Sequence, residues 1–237
     1  MIRRFDGVGD VLGPSISLFF KNFWLITKLV VVIVTPFEAF QILKVQEIAT
    51  DWQFTVTAYA LQFFCKMLLA PALIYALTKR METGVAPGVN ESYSFALGKI
   101  GKVILCAIMT WVLQILGLIA LIVPGIILML AFEVVYPVAV LENESPVDTL
   151  QRSYLLTKGH KLKILGAGIL MSLLLGMLTL PASAIPLLFG GVGGMFWPVA
   201  VLLAVLTDII SQGTTVLSLV IFLSILRTLE PRQSVIR

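Results

Sequence analysis

The chain has 237 residues, of which 59% are hydrophobic and only 13% are charged, and its formal net charge is +4. Its mean hydropathy is +1.01. Soluble globular domains have about a quarter of their residues charged, so this composition excludes an ordinary water-soluble domain. It predicts a single integral membrane domain over residues 1–237.

Apolar stretches along the chain are long enough to cross a hydrocarbon core of about 30 Å as helices. In chain order they cover residues 23–42, 54–77, 103–123, 126–141, 164–189 and a part of 196–226. They are apolar on all sides, which favours helices over the alternating strands of a membrane barrel. The sequence therefore predicts an all-α polytopic membrane protein with about six transmembrane helices, arranged in three hairpins with cytoplasmic interfacial helices.

The positive charges outside these stretches are unevenly distributed. Most of the 17 Lys and Arg residues lie before the first stretch, between the second and third, between the fourth and fifth, and after the last. The alternate loops carry Lys44 alone. By the positive-inside rule, the basic segments and both termini are predicted to face the cytoplasm. The net positive charge then needs no nucleic-acid partner.

A short amphipathic helix is predicted between the fourth and fifth stretches. Ser145 and Asp148 have the spacing of a capping box, and Pro146 suits the first helical position. Gly159 suits the left-handed conformation that ends a helix. Weaker copies precede the other two hairpins at residues 10–15 and 97–105, and Pro14 is expected to break the first copy.

Such a helix can lie among lipid head groups, and we expect basic side chains on it and just after it to contact anionic lipids. These side chains belong to Arg152, Lys158, Lys161 and Lys163.

The region around this helix resembles a known family. The resembling residues are Pro124, Gly125, Pro137, Glu142, Pro146, Leu150, Arg152, Ser153, Leu156, Thr157 and Gly159, with Val11, Leu12, Lys21, Asn22 and Phe23 near the N-terminus. They resemble bacterial six-helix inner-membrane proteins of unassigned role, a family that includes the membrane domain attached to some glycerophosphodiester phosphodiesterases. The resemblance implies a location in the bacterial inner membrane. Thr149 and Glu133 depart from the family's pattern.

No enzymatic activity follows from this resemblance. The phosphodiesterase motifs are missing, and His160 is the only histidine in the chain. Cys65 and Cys106 have no histidine partner for a zinc site. The glycine-rich residues 190–194 lack the Lys-Ser or Lys-Thr of a phosphate loop and are interpreted as a turn. We therefore expect no catalytic residue, no metal and no cofactor.

A few charged residues fall inside the predicted spans, where each costs about 2.5–3.5 kcal/mol. Lys28 and Glu38 lie near the ends of the first span and are expected to reach the interface. Lys66 and Glu133 lie deeper, so we predict that they neutralise each other as an intramembrane ion pair. Pro137 should free the carbonyl of Glu133 as an additional acceptor. The pair would either lock two helices together or form part of a proton or ion relay.

Asp208 has two alternative placements because residues 196–226 are longer than one span needs. The favoured placement puts Asp208 at the outer surface, with Trp197 as an interfacial anchor. The alternative starts the span at Trp197, and Asp208 and Gln212 then join the interior polar residues as a third member beside Lys66 and Glu133.

Two functions remain open. The first is a non-catalytic membrane scaffold, accessory subunit or lipid-associated factor, whose partners are anionic lipids and either another membrane protein or a second copy of the chain. The second is a small-solute or ion transporter that uses Lys66 and Glu133. The shortage of interior polar residues favours the first. Prolines inside the spans, which can create the broken helices of transporters, favour the second.

Overall fold

The computed structural model describes residues 5–45, 52–188 and 197–229, and in these ranges it is helical apart from short turns. The helices are α1 (Gly9–Lys21), α2 (Phe23–Val45), α3 (Trp52–Thr83), α4 (Val89–Ala120), α5 (Ile122–Ala131), α6 (Val135–Leu141), α7 (Pro146–Thr157), α8 (Lys161–Leu188), α9 (Trp197–Ser211) and α10 (Gly213–Leu229). The predicted all-α class is confirmed for the described residues. The turn predicted at residues 190–194 lies outside them.

Four helical segments within the described ranges are long and apolar enough to cross a membrane. They are Val89–Ala120, Ile122–Leu141, Lys161–Ala182 and Pro198–Leu229. A fifth is added if α1 and the first part of α2, which meet at an angle of 68°, form one broken span. These lengths and compositions are those of a membrane protein, while the predicted number of six spans in three hairpins stays a prediction.

The predicted break at Pro14 is not formed, and the predicted short segment at residues 97–105 is not a separate helix. α1 continues from Gly9 to Lys21 through Pro14, so the expected break is wrong. A proline in the second turn removes one backbone donor without stopping a helix that is held by its neighbours. α4 runs without interruption from Val89 to Ala120, and the segment at residues 97–105 is therefore the first half of a long helix.

The packed core lies between α2, α3, α6 and α10. α10 is buried on nearly all sides through Val216, Leu219, Val220 and Ile225. The faces of α4, α5 and α8 that point away from this core carry large exposed apolar side chains. Exposed apolar surface of this kind suits lipid contact, because lipid tails solvate it as well as a protein interior does.

The turn between α4 and α5 is a single extended residue, Leu121, with φ −169° and ψ 150°. Two glycines allow the helices to approach each other closely beside this turn. A Cβ on Gly117 would lie 3.1 Å from the Cα of Gly125, and a Cβ on Gly125 would lie 3.0 Å from the Cα of Leu118. Turn and close approach together fix the α4–α5 hairpin.

Candidate functional site

Three charged side chains from separate helices form one cluster, with Lys66 on α3 at its centre. Lys66 Nζ lies 2.9 Å from Oδ1 of Asp208 on α9 and 3.6 Å from Oε1 of Glu38 on α2. The side chains of Asp208 and Glu38 are only 16% and 12% exposed. This group, the Lys66 triad, joins three helices by ion pairs.

The triad changes the predicted pairing of the interior charges. Lys66 pairs with Asp208 and Glu38 and not with Glu133 among the described residues. Glu38, which was expected to reach the interface, points toward Lys66. Asp208 lies within the 32-residue candidate segment Pro198–Leu229, which is longer than one span needs, so both of its predicted placements stay predictions.

A cavity of about 680 Å³ lies between α3, α4, the α5–α6 junction and α10. Lys66 lines one side of it and Glu133 lines another, so the two residues predicted to pair share a cavity without touching. Its walls are mostly apolar and include three aromatic side chains, Trp111, Phe132 and Tyr136. The remaining polar lining comes from Thr110, Gln114, Thr214, Thr215 and Ser218.

Glu133 occupies the short turn between α5 and α6. Pro137 has no N–H, so the carbonyl of Glu133 lacks the donor that a continuous helix would supply. Ser218 Oγ on α10 donates to this carbonyl at 2.5 Å. The prediction that Pro137 frees the Glu133 carbonyl is confirmed, and the donor comes from a helix that is distant in sequence.

A second carbonyl at the same junction is satisfied from α7. Ser153 Oγ and Thr157 Oγ1 donate to the carbonyl of Ala131 at 2.8 and 3.2 Å. Ala131, Ser153 and Thr157 are all buried. At the α5–α6 junction, hydroxyls from α7 and α10 therefore bond the carbonyls of Ala131 and Glu133 and stabilise the helix interruption.

The helix α7 begins and ends as the sequence predicts. Ser145 Oγ accepts a hydrogen bond from the N–H of Asp148 at 3.2 Å, and Pro146 is the first helical residue. Gly159 has φ 85° and follows the end of the helix. The buried face of α7, however, carries the hydroxyls of Ser153 and Thr157, so α7 packs along the neighbouring helices through polar as well as apolar side chains.

The carboxylate of Glu133 is half-buried. Within the described part of the chain it has neither a hydrogen-bond nor an ion-pair partner. The Lys66 triad already sets two carboxylates against one ammonium group, so it supplies no spare positive charge. The cavity lining thus contains one ammonium group, that of Lys66, which is already paired with carboxylates beside the cavity, and one carboxylate, that of Glu133.

The predicted lipid-contacting residues cluster around the end of α7 and the start of α8. Arg152 Nε lies 3.3 Å from Oε2 of Glu142. Lys161 Nζ lies 4.7 Å from the ring centre of Tyr154, and Lys163 Nζ lies 6.0 Å from that of Phe5. Lys158 is exposed. Ion-pair and cation–π contacts thus order part of this basic patch.

No group of His, Cys, Asp and Glu within residues 5–45, 52–188 and 197–229 has the arrangement of a metal site. Cys65 and Cys106 are free thiols, half-buried and buried respectively.

Comparison with known proteins gives no match to a family model, to a curated protein or to a solved structure. The resemblance to bacterial six-helix inner-membrane proteins therefore stays a prediction, as do the location and partners that it implies.

Sequence reasoning missed Glu38 as a partner of Lys66 and missed the roles of Ser153, Thr157 and Ser218. The available signal was weak: a carboxylate in the last third of an apolar stretch, and hydroxyls in otherwise apolar helices. Such hydroxyls in membrane helices are frequent interhelical donors. The sequence could therefore have predicted that they donate to another helix, but not which carbonyl accepts.

Proposed function

We propose that this chain is a non-catalytic multi-pass protein of the bacterial inner membrane that carries a small solute through the cavity between α3, α4, the α5–α6 junction and α10. The observation that carries the proposal is this cavity, with Glu133 on its wall and the Lys66 triad beside it. Its volume of about 680 Å³ falls in the range of about 300–1,000 Å³ that is typical of small-molecule sites.

The proposal includes six spans with both termini in the cytoplasm. α2 and α3 supply the two spans beyond the four long apolar segments. They have 23 and 32 residues, which correspond to roughly 35 and 48 Å of helix at 1.5 Å per residue. Both lengths suffice for a hydrocarbon core of about 30 Å.

The unpaired carboxylate is the physical argument for transport over a purely structural role. A charge in the membrane interior costs about 2.5–3.5 kcal/mol. The Lys66 triad offsets this cost by ion pairing and so has a structural explanation. Glu133 has no such compensation from the part of the chain that the structure describes, and an uncompensated interior carboxylate is typical of ion and substrate pathways. The broken helix that carries it resembles the discontinuous helices that form binding sites in transporters.

Accessibility of the cavity from both sides of the membrane tests the proposal without knowledge of the solute. Ala70 lines the cavity, so we would place a single cysteine there in a chain whose Cys65 and Cys106 are replaced by alanine. A membrane-impermeant thiol reagent is then added to proteoliposomes from outside only or from inside only. Reaction from each side is expected, because a carrier exposes its site alternately.

The matched control is Leu170→Cys on α8, where the native side chain is 51% exposed and expected to face lipid, so that no reaction occurs from either side. Reaction of the cysteine at position 70 from one side only, or from neither, would contradict transport.

The basic patch favours a second function, association with anionic lipids as a scaffold or accessory subunit. It contains Lys158, which is exposed, and Lys161, which lies against Tyr154. Native mass spectrometry of the protein from its own membrane should find retained anionic lipid. Replacement of Lys158, Lys161 and Lys163 by glutamine should remove that lipid, whereas Lys44→Gln, predicted on the opposite side, should not.

A further inference from the structure

We propose that the cavity binds a monovalent organic cation, specifically a substituted ammonium group with a small apolar body. The inference rests on the proposed function and names the class of solute. It starts from the juxtaposition of Glu133 with the aromatic walls of the same cavity.

The pairing of the charged groups at the cavity favours a cation. The ammonium of Lys66 is held between Asp208 and Glu38, at 2.9 and 3.6 Å. Glu133 contributes a further carboxylate without a cationic partner among the described residues. An anion entering the cavity would meet the carboxylate of Glu133, and the ammonium of Lys66 in the lining is already paired with Asp208 and Glu38, so the desolvation of the anion would go uncompensated. A single positive charge on the solute compensates Glu133.

The aromatic lining selects an organic cation. Trp111, Phe132 and Tyr136 line the cavity, and aromatic faces attract quaternary and substituted ammonium groups by cation–π interaction. The neighbouring Met67 and Met129 add polarizable apolar surface. A solute with an ammonium group and an apolar body uses both the carboxylate and these walls.

The same lining disfavours a metal ion. Mg²⁺ and Ca²⁺ require about six to eight oxygen ligands from protein and water, whereas the cavity has one uncommitted carboxylate and mostly apolar walls. No metal-binding group of side chains occurs among the described residues. A strongly hydrated inorganic cation would lose its water without replacement.

The experiment measures equilibrium binding of radiolabelled choline to the full chain in nanodiscs. Dimethylbutanol, the neutral isostere of choline, serves as the competitor that lacks only the positive charge. Choline is expected to displace the label at least about 10-fold more effectively than the isostere, because cation–π and charge contacts together contribute about 1.4 kcal/mol or more. Equal displacement by the two compounds would overturn the proposal.

Variants locate the site. Glu133→Gln should weaken choline binding by about 30-fold, since loss of a desolvated charge partner costs about 2 kcal/mol or more. Trp111→Leu should weaken it by about 5-fold. The matched control Glu144→Gln removes an exposed carboxylate outside the cavity lining and should leave the affinity unchanged. Unchanged affinity in Glu133→Gln would overturn the proposal.

Glu133→Asp covers the case in which the glutamine variant does not fold. It keeps the charge and withdraws the carboxylate by one methylene group. We expect weaker choline binding with the preference over the isostere retained; loss of that preference while the variant remains folded would overturn the proposal.

The outcome is separable from that of the transport test. If a cysteine at position 70 reacts from both sides but choline does not bind, the transport function stands and the solute class is wrong. If choline binds with the expected preference but the cysteine reacts from one side only, the cation site stands and transport is wrong.

Discussion

At the scale of single residues, Lys66 and Glu133 line the same cavity but differ in whether their charge has an ion-pair partner. Lys66 is compensated by Asp208 and Glu38. Ser218 bonds the backbone carbonyl of Glu133, whereas the carboxylate of Glu133 has no partner among the described residues. An interior carboxylate without a partner costs stability. Functional sites commonly retain such destabilising groups, so this arrangement indicates a functional role for Glu133.

Glu133→Gln is therefore expected to stabilise the protein while it weakens cation binding. Removal of an uncompensated interior charge should recover about 1 kcal/mol or more, which corresponds to an increase in Tm of about 2–4 °C for a chain of this size. Thermal unfolding in detergent, followed by intrinsic fluorescence, measures the change. Glu144→Gln, which removes an exposed charge, should leave Tm unchanged. A lower Tm in Glu133→Gln would mean that the carboxylate has a stabilising partner.

His160 predicts a loss of stability in mild acid. Burial lowers the pKa of His160 from its ordinary value of 6.5, Lys163 lowers it further, and Asp6 partly opposes them. Below about pH 6.5 the unfolded chain binds a proton at this histidine that the folded chain resists. The free energy of unfolding should therefore fall as the pH falls from 6.5 toward the lowered pKa of the folded state.

The unfolding midpoint should decrease as the pH is lowered from about 7.5 to about 5.5. The decrease should be steeper for the wild-type chain than for His160→Gln. The carboxylates titrate equally in both chains, so the difference isolates His160. Parallel pH profiles would refute the assignment.

At the scale of elements, local signals were the most reliable. The capping residues Ser145 and Asp148 and the positive φ of Gly159 define α7 as predicted, because each acts within a few residues of chain. Proline was a weaker guide: Pro14, Pro36 and Pro71 lie inside continuous helices, since neighbouring helices hold the chain across the missing hydrogen bond. Pro137, by contrast, follows a turn whose open carbonyls are bonded by hydroxyls from α7 and α10.

The α5–α6 junction should depend on the hydroxyls of α7. Ser153→Ala combined with Thr157→Val leaves the buried carbonyl of Ala131 without its two hydroxyl donors, at a cost of about 1–3 kcal/mol. Hydrogen–deuterium exchange should increase in peptides that cover α6 and α7. Thr179→Val is the control, because its hydroxyl bonds only to carbonyls of its own helix. Equal exchange in both variants would show that the hydroxyls do not hold the junction.

The α4–α5 hairpin should depend on Gly125. In Gly125→Ala the new Cβ meets the Cα of Leu118 at 3.0 Å, and a backbone atom cannot rotate away as a side chain can. We expect a loss of about 1–3 kcal/mol, measured as a lower Tm. Gly176→Ala on α8 is the matched control, because a Cβ there has nothing within 4 Å. An unchanged Tm in Gly125→Ala would show that the hairpin adjusts.

At the scale of the whole molecule, the sequence was sufficient to predict an all-α membrane protein. It was insufficient to predict which helices contact each other. Composition and apolar stretches predict helices because lipid forces the backbone to bond internally. They carry no information about which helices touch, since lipid-facing and protein-facing surfaces have similar composition. The partner of Lys66 could thus not be chosen among Glu133, Asp208 and Glu38. The hydroxyls that bond the carbonyls of Ala131 and Glu133 were hidden for the same reason.

The number of spans is the whole-molecule prediction that remains to be tested. The sides on which the two termini lie show whether that number is even or odd. Six spans place both termini on one side of the membrane, five spans place them on opposite sides, and four place them together. Tags at each terminus should be protected from protease in spheroplasts and cleaved in inside-out vesicles, in agreement with the positive-inside rule. Lys44→Cys, in a chain whose Cys65 and Cys106 are replaced by alanine, then separates six spans from four. α2 and α3 leave Lys44 on the outer side only if both cross the membrane, so an impermeant thiol reagent should label it in spheroplasts. Labelling of that cysteine only in inside-out vesicles would show that α2 and α3 do not cross, and the cavity would then open at the surface of the membrane.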